Sequence, residues 1–428
     1  MVRERIAKLC FGLAVILTPL SYAVKSMSGA ADITWVDPTL ILSFLVFALM
    51  ATELRDKPGW FLIVFALLSA ILGSLLHKGQ PDRLEASWYV IFRDPIELTL
   101  CFLWFWICIM YFRRERTFAV RCVALSAILQ FAVGVYFYFA MVQLVPVPGP
   151  VLDYLRAYAV RQTLVFGLAS IPRMAGTFDE APLFGLFMLS CFVILALELI
   201  REGHCRNKLI MAGMIASAIG TVASVSDQTL LGLALFLIAA AFRAAKLGNW
   251  LARVALIAAL VSTGYVVGHS LIKSQIESET RVSVYGQSLG ERAFHARYAM
   301  TILAHQEPAI LFGVGPGRYG DYISETGMFP STVTPAVVAI EWLIGYGLIG
   351  FLAICIWLYD ICMKARISLG VLGLGAFAGL VVGNMFQSRW LWEGWFLALA
   401  YLYAAHIPLV GKREETTPVL TESVSEPC

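Results

Sequence analysis

The sequence predicts an all-α polytopic membrane protein with about twelve transmembrane helices, and three observations carry that prediction. Hydrophobic residues make up 59% of the 428 and charged residues only 14%, against roughly 45–50% and 25% in a soluble chain. Mean hydropathy is +0.77. A soluble core of this length has no room for so much apolar side chain, so lipid is the solvent for most of the chain. The apolar runs are also long and do not alternate, which selects helices over barrel strands. A net charge of +3 supplies no basic footprint and excludes nucleic acid as a partner.

In chain order the spans fall near 9–24, 38–52, 59–77, 94–112, 122–142, 180–200, 209–222, 229–242, 254–270, 336–358, 367–383 and 394–410. The basic start, Arg3, Arg5 and Lys8, resembles a signal peptide, but no small-residue cleavage site follows, so the first run is expected to stay as a helix. Residues 1–410 form one transmembrane domain, and the polar tail 411–428 is expected to be a disordered extension.

Basic residues set the orientation. Of the 32 Lys and Arg, 19 fall in the segments 1–8, 53–58, 113–121, 201–208, 243–253, 359–366 and 411–428, and the other 13 lie in the longer alternate segments. The first side is therefore the expected cytoplasm, with both termini in it and the protein in a bacterial inner membrane. None of the nine cysteines falls in an outer segment and none is spaced as a metal ligand, so neither disulfides nor a metal or other cofactor is expected. No inverted pair of broken spans marks a transporter.

Two outer segments are long, 143–179 and 271–335, and long loops in compact proteins carry function. The first is expected to hold an interfacial amphipathic helix over 151–170, with Arg156 and Arg161 toward lipid headgroups. It closes on Arg173-Met174-Ala175-Gly176-Thr177-Phe178-Asp179-Glu180-Ala181-Pro182. A guanidinium at this edge either grips a diphosphate through paired hydrogen bonds or snorkels to lipid phosphate. Gly176 permits close backbone approach.

The second segment carries an amphipathic helix from Glu291 to about Gln306, with Ala293, Arg297, Thr301 and Ala304 on one stripe and His305 one ridge away. After it comes Leu311-Phe312-Gly313-Val314-Gly315-Pro316-Gly317-Arg318-Tyr319-Gly320. No βαβ context supports a dinucleotide site here. The turn either wraps a phosphate or packs tightly on helices. Glu341, just inside span ten, faces the bundle or a cavity, because lipid exposure is costly.

These stretches resemble the O-antigen ligase and polymerase superfamily. The run Arg173 to Pro182 resembles its Arg-x-x-Gly-x-Phe-x-x-Pro. The run from Arg297 through Pro308-Ala309-Ile310-Leu311-Phe312-Gly313-Val314-Gly315-Pro316-Gly317-Arg318-Tyr319 resembles its arginine helix and following glycine-rich turn. Glu341-Trp342-Leu343-Ile344-Gly345-Tyr346-Gly347-Leu348-Ile349-Gly350 resembles its Glu-x-Gly-x-x-Gly. The similarity covers roughly 170–350.

The resemblance implies a metal-independent glycosyltransferase that moves an oligosaccharide from undecaprenyl diphosphate at the periplasmic face. Arg173 and Arg297 would stabilise the leaving diphosphate, with Gly176, Asp179, Gly313, Gly315, Gly317, Arg318 and Tyr319 around the substrate. Ser331-Thr332-Val333-Thr334-Pro335 stands where the ligases have His-Asn, and Ser226-Asp227-Gln228 replaces Ser-Arg-Gly. The missing histidine argues against lipid A-core ligation. It leaves the general base among Asp179, Glu180, Asp227, His305 and Glu341. The expectation is a polymerase of surface polysaccharide repeat units, with membrane lipid around it and a flippase and chain-length regulator beside it. The alternatives are a ligase or protein O-oligosaccharyltransferase, a lipid-carrier flippase, and an inactive membrane partner.

Overall fold

The computed structural model describes residues 2–19, 38–54, 57–76, 88–142, 144–146, 163–166, 169–178, 181–202, 207–245, 289–305, 307–316, 319, 337–385 and 392–405. They form helices α1 (Val2–Leu17), α2 (Pro38–Met50), α3 (Trp60–Leu76), α4 (Trp88–Arg114) and α5 (Arg116–Met141), then a hairpin of β1 (Thr163–Phe166) and β2 (Ala169–Pro172). There follow α6 (Ala181–Glu202), α7 (Lys208–Ala223), α8 (Asp227–Ala245), α9 (Leu289–His305), α10 (Glu307–Phe312), α11 (Val338–Leu369), α12 (Val371–Met385) and α13 (Glu393–Ala404). Eleven of the twelve predicted spans overlap these helices, and the twelfth, 254–270, lies outside the described residues, as does the tail 411–428. Among the described residues, five stretches are long and apolar enough to cross a membrane: Pro95–Arg114, Arg116–Met141, Ala181–Arg201, Asp227–Ala244 and Val338–Leu369.

Three expectations are corrected. Where an amphipathic helix was expected to run to residue 170, Thr163–Phe166 and Ala169–Pro172 pair as antiparallel strands. The predicted loop 359–366 is helical and belongs to α11. The predicted loop 113–121 shrinks to Glu115 between α4 and α5. In both loops the basic residues misled: a helix end tolerates Arg and Lys, because their stems lie along apolar surface while the charge reaches water.

Lipid-facing helices gain nothing from hiding apolar surface from one another, so close packing and polar contacts must hold them. Glycine supplies the closeness. On α8 and α12 the backbones of Gly232 and Gly379 meet, and Gly375 lies on Ala239, leaving no space for a Cβ at any of these glycines. Gly213 of α7 lies in the same way on Ala124 of α5. At the centre stand α6, with nearly all of its apolar stretch buried, and α13, of which every residue is buried. An aromatic cluster joins α13 to α4 and α11: Trp357 lies 5.1 Å from Phe102, 5.5 Å from Phe105 and 5.8 Å from Phe396 between ring centroids. Two of the buried indoles find partners, Trp104 Nε1 donating to the Glu393 carbonyl at 3.1 Å and Trp392 Nε1 to Asn384 Oδ1 at 2.7 Å.

Ionic contacts show which helix ends share a face. Lys8 pairs with Glu115 at 2.8 Å, Arg114 with Glu53, and Lys364 with Asp360 at 2.8 Å. Arg116 meets Glu198 of α6 and Tyr401 of α13, and Arg243 of α8 reaches the Leu369 carbonyl at the end of α11. The start of α1 and the ends of α2, α4, α6, α8, α11 and α13 thus gather on one basic face. The described residues of the segments predicted to be cytoplasmic lie there. The opposite, far face carries the described motif residues.

Candidate functional site

Arg173 follows directly on β2, in the turn leading to α6. Its Nε donates to the Ser224 carbonyl at 3.0 Å, and the Met174 amide donates to the Ala223 carbonyl at 3.1 Å. The motif is thereby docked on the turn between α7 and α8. That turn is strained: Val225 takes φ of +46°, a left-handed conformation that a β-branched residue adopts at a cost. Gly176 also has positive φ, +57°, and there glycine is required twice over, because Gln130 fills the space a Cβ would need. Thr177 locks the turn in place. Its hydroxyl donates to the Pro19 carbonyl at 2.6 Å and accepts from the Gln130 amide at 3.0 Å. Phe178 is fully buried against Phe187, 5.6 Å away.

This clamping fixes depth. Thr177 meets Gln130, and Met174 lies on Gly134, both well inside α5. The end of α5 at Met141 is seven residues beyond Gly134, about 10 Å further out along the helix. The 16 residues of α7 span about 24 Å, less than the ~30 Å hydrocarbon core. Arg173, half-buried, therefore lies in a recess below the far end of α5. Ser224, Ser226 and Thr229 surround the turn and are all buried. Ser224 and Thr229 press on Gly185 of α6, and the Thr229 hydroxyl has no hydrogen-bond partner among the described residues. Asp227, which starts α8, lies within this polar layer. Gln130, Ser224 and Thr229 were not picked out from the sequence. Gln130 had one signal, a lone amide amid the apolar run of α5.

A second cluster gathers the other motifs. On α9, Ala299, Ile302 and Leu303 are buried while Arg297, Met300, Thr301 and Ala304 are exposed, so the predicted amphipathic helix is present with Arg297 on its open side. The glycine-rich turn after α10 packs on α11. Gly313, φ +78°, donates its amide to the Ala309 carbonyl, and Val314 donates to the Ile344 carbonyl at 2.8 Å. The Ile344 carbonyl can accept that bond because α11 is broken at Gly347, whose φ of 65° and ψ of −172° interrupt the helical ladder. The span predicted at 336–358 is present, with this kink inside it.

Gly313 and Gly347 touch main chain to main chain, with Leu311 on Gly347 and Pro316 on Gly345. The described part of the turn packs tightly: Gly313 has its amide occupied, and Gly315, φ +102°, is buried. Tyr319 is 3% exposed, with its ring 6.4 Å from Tyr298. Burial first, and then Tyr298, push its phenol above the usual tyrosine range, so the hydroxyl keeps its proton. Glu341 is half-buried in the first turn of α11, four residues from Gly345 and on the same stripe.

The structure thus groups Arg173 and Gly176 around the α7–α8 turn, and Gly313, Gly315, Tyr319 and Glu341 around the broken helix. Asp179, Gly317, Arg318 and the His305 side chain lie outside the described residues. Comparison with protein-family models, with curated proteins and with solved structures gives no match to this chain.

Proposed function

We propose that the chain is a membrane glycosyltransferase that polymerises oligosaccharide repeat units carried on a polyprenyl diphosphate. In this reading it has twelve spans in a bacterial inner membrane, both termini cytoplasmic and the far face periplasmic. The single observation that supports it most is Arg173, a half-buried guanidinium drawn into a polar recess and anchored to main chain. An arginine at that depth is costly unless it serves a ligand or a partner. Its geometry suits a diphosphate at the membrane edge.

In the reaction an acceptor hydroxyl attacks the anomeric carbon. The bond from that carbon to the diphosphate oxygen breaks and the diphosphate takes the electron pair. The hydroxyl proton passes to a carboxylate, Asp227 in the recess or Glu341 on α11. Arg173, with Arg297 on the exposed side of α9, neutralises the leaving group. The break at Gly347 favours a second reading, carrier transport, since discontinuous helices line transport sites.

The test uses purified protein in lipid with a carrier-linked repeat unit as sole substrate. A product ladder that vanishes in Arg173→Ala and Arg297→Ala supports polymerisation. Full activity in both variants removes the arginines from the diphosphate role. Translocation of the labelled carrier without any new glycosidic bond would replace transfer by transport.

A further inference from the structure

On the basic face, the ends of α6, α8 and α13 and the junction of α11 with α12 enclose a cleft of about 370 Å³. Arg201, Arg243 and Ser368 line it together with the apolar Leu197, Leu369 and Leu372. Two arginines thus line one space with an apolar wall. Arg243 is held there, its Nη1 donating to the Leu369 carbonyl at 3.4 Å across the end of α11.

The cleft also meets the first turn of α12, where Leu372 is the second residue. The opening amides of a helix have no intrahelical partner, and its dipole favours an anion there. The rim has a different chemistry. The residue just before each polar or first-turn lining residue is an exposed apolar side chain: Ile200 is 44% exposed, Phe242 65%, Ile367 64% and Val371 47%. In a bilayer such side chains meet acyl chains. A ligand that fits is an anion with hydrocarbon attached.

We propose that this cleft binds the phosphate headgroup of an anionic phospholipid from the leaflet on the basic face, with Arg201 and Arg243 on the phosphate and the acyl chains along Ile200, Phe242 and Ile367. A basic pocket between helix ends is the kind of site that takes such headgroups, and the guanidinium fork matches phosphate oxygens in pairs. The site lies on the face opposite Arg173 and draws nothing from the transfer reading.

The full-length protein in neutral detergent is tested by its unfolding temperature against short-chain phosphatidylglycerol, short-chain phosphatidylcholine and inorganic phosphate at equal concentrations. Phosphatidylglycerol alone raises the unfolding temperature. Arg201→Gln and Arg243→Gln each weaken its apparent affinity roughly fivefold, and the double variant loses the response. Native mass spectrometry gives a second readout, with bound phosphatidylglycerol retained by the wild type and lost from the double variant. An equal shift with phosphatidylcholine would reduce the site to a hydrocarbon contact. A shift with inorganic phosphate as large as that with phosphatidylglycerol would make it a free-anion site. An unchanged response in the double variant would remove the arginines. Should the variants not fold, the three-ligand comparison on the wild type decides.

Discussion

Arg116 and Arg173 each bring a positive charge into the helix bundle, at opposite faces, and they are held in different ways. Arg116 is 7% exposed; its Nε meets Glu198 Oε1 at 2.9 Å and Oε2 at 2.8 Å, and its Nη2 meets the Tyr401 hydroxyl at 2.9 Å. Tyr401 in turn donates to Glu198 Oε2 at 2.8 Å. The cluster ties α5, α6 and α13 together by side chains alone, and it is closed to solvent. Arg173 is only half-buried and is anchored to a main-chain carbonyl of a turn. A charge saturated by buried partners acts as a clasp. A half-buried charge anchored on backbone keeps part of its surface exposed, which is what the proposed diphosphate role requires.

The largest effect is expected at the clasp. Glu198→Ala leaves Arg116 buried beside Tyr401 without its carboxylate, and removing one partner of such a pair costs about 3–5 kcal/mol. Thermal unfolding in detergent should show the loss. Replacing Arg116 and Glu198 together by Met and Leu should recover most of it, because the costly state is the unpaired charge. Next comes Arg173→Ala, expected to lower transfer about 10²- to 10³-fold, the usual loss for one donor to a developing anion, while the unfolding temperature stays near that of the wild type. Arg173→Lys keeps the charge and loses the fork; full activity in it would assign Arg173 a point-charge role. If Arg173→Ala unfolds the protein as Glu198→Ala does, the two arginines belong to one class and the contrast fails.

A smaller effect tests the broken helix. Gly347→Ala forces a Cβ into φ of +65° against the Leu311 main chain, with an expected cost of about 1–3 kcal/mol. Protease cutting within 307–316 should rise as α10 loosens from α11. No change in either readout would mean that α10 is held elsewhere.

Much of this fold was legible because hydropathy reports the solvent directly. The apolar runs from Leu183 to Leu199 and from Ile349 to Leu358 announce helices whatever they pack against. Contacts between distant residues were not legible. Glu198 sits in Ala196-Leu197-Glu198-Leu199-Ile200, and nothing local says that Arg116 and Tyr401 close over it. The break at Gly347 escaped for a similar reason: glycine within a helix is tolerated, and only the approach of Gly313 and Leu311 makes the kink. The hairpin at 163–172 is not legible because the helical spacing of the apolar residues Leu152, Leu155, Tyr158 and Ala159 in the sequence says nothing of Thr163–Phe166 beyond them. In the site, Arg173 and Gly176 were readable from their pattern. Ser224 and Thr229 were not, since a serine or threonine in an apolar helix more often bonds to its own backbone, as Ser224 also does with Thr221 at 2.8 Å.

The smallest expected effect sets the scale for the rest. Lys8 and Glu115 form an ion pair at 2.8 Å on the same face as Arg116, but their side chains are 39% and 47% exposed. Exposed pairs are worth about 0.2–1 kcal/mol. A double-mutant cycle with Lys8→Ala and Glu115→Ala should return a coupling in that range, vanishing near 1 M salt, where the screening length falls to about 3 Å. The Arg116–Glu198 coupling should survive the same salt. The two single variants should also differ, because Lys8 lies 4.7 Å above the Phe118 ring and keeps that attraction when Glu115 is removed. Lys8→Ala should therefore cost more than Glu115→Ala. A salt-resistant coupling at Lys8 would show that solvent does not reach the pair. The start of α1 would then belong with the clasp, as a further part of the bundle's closed end.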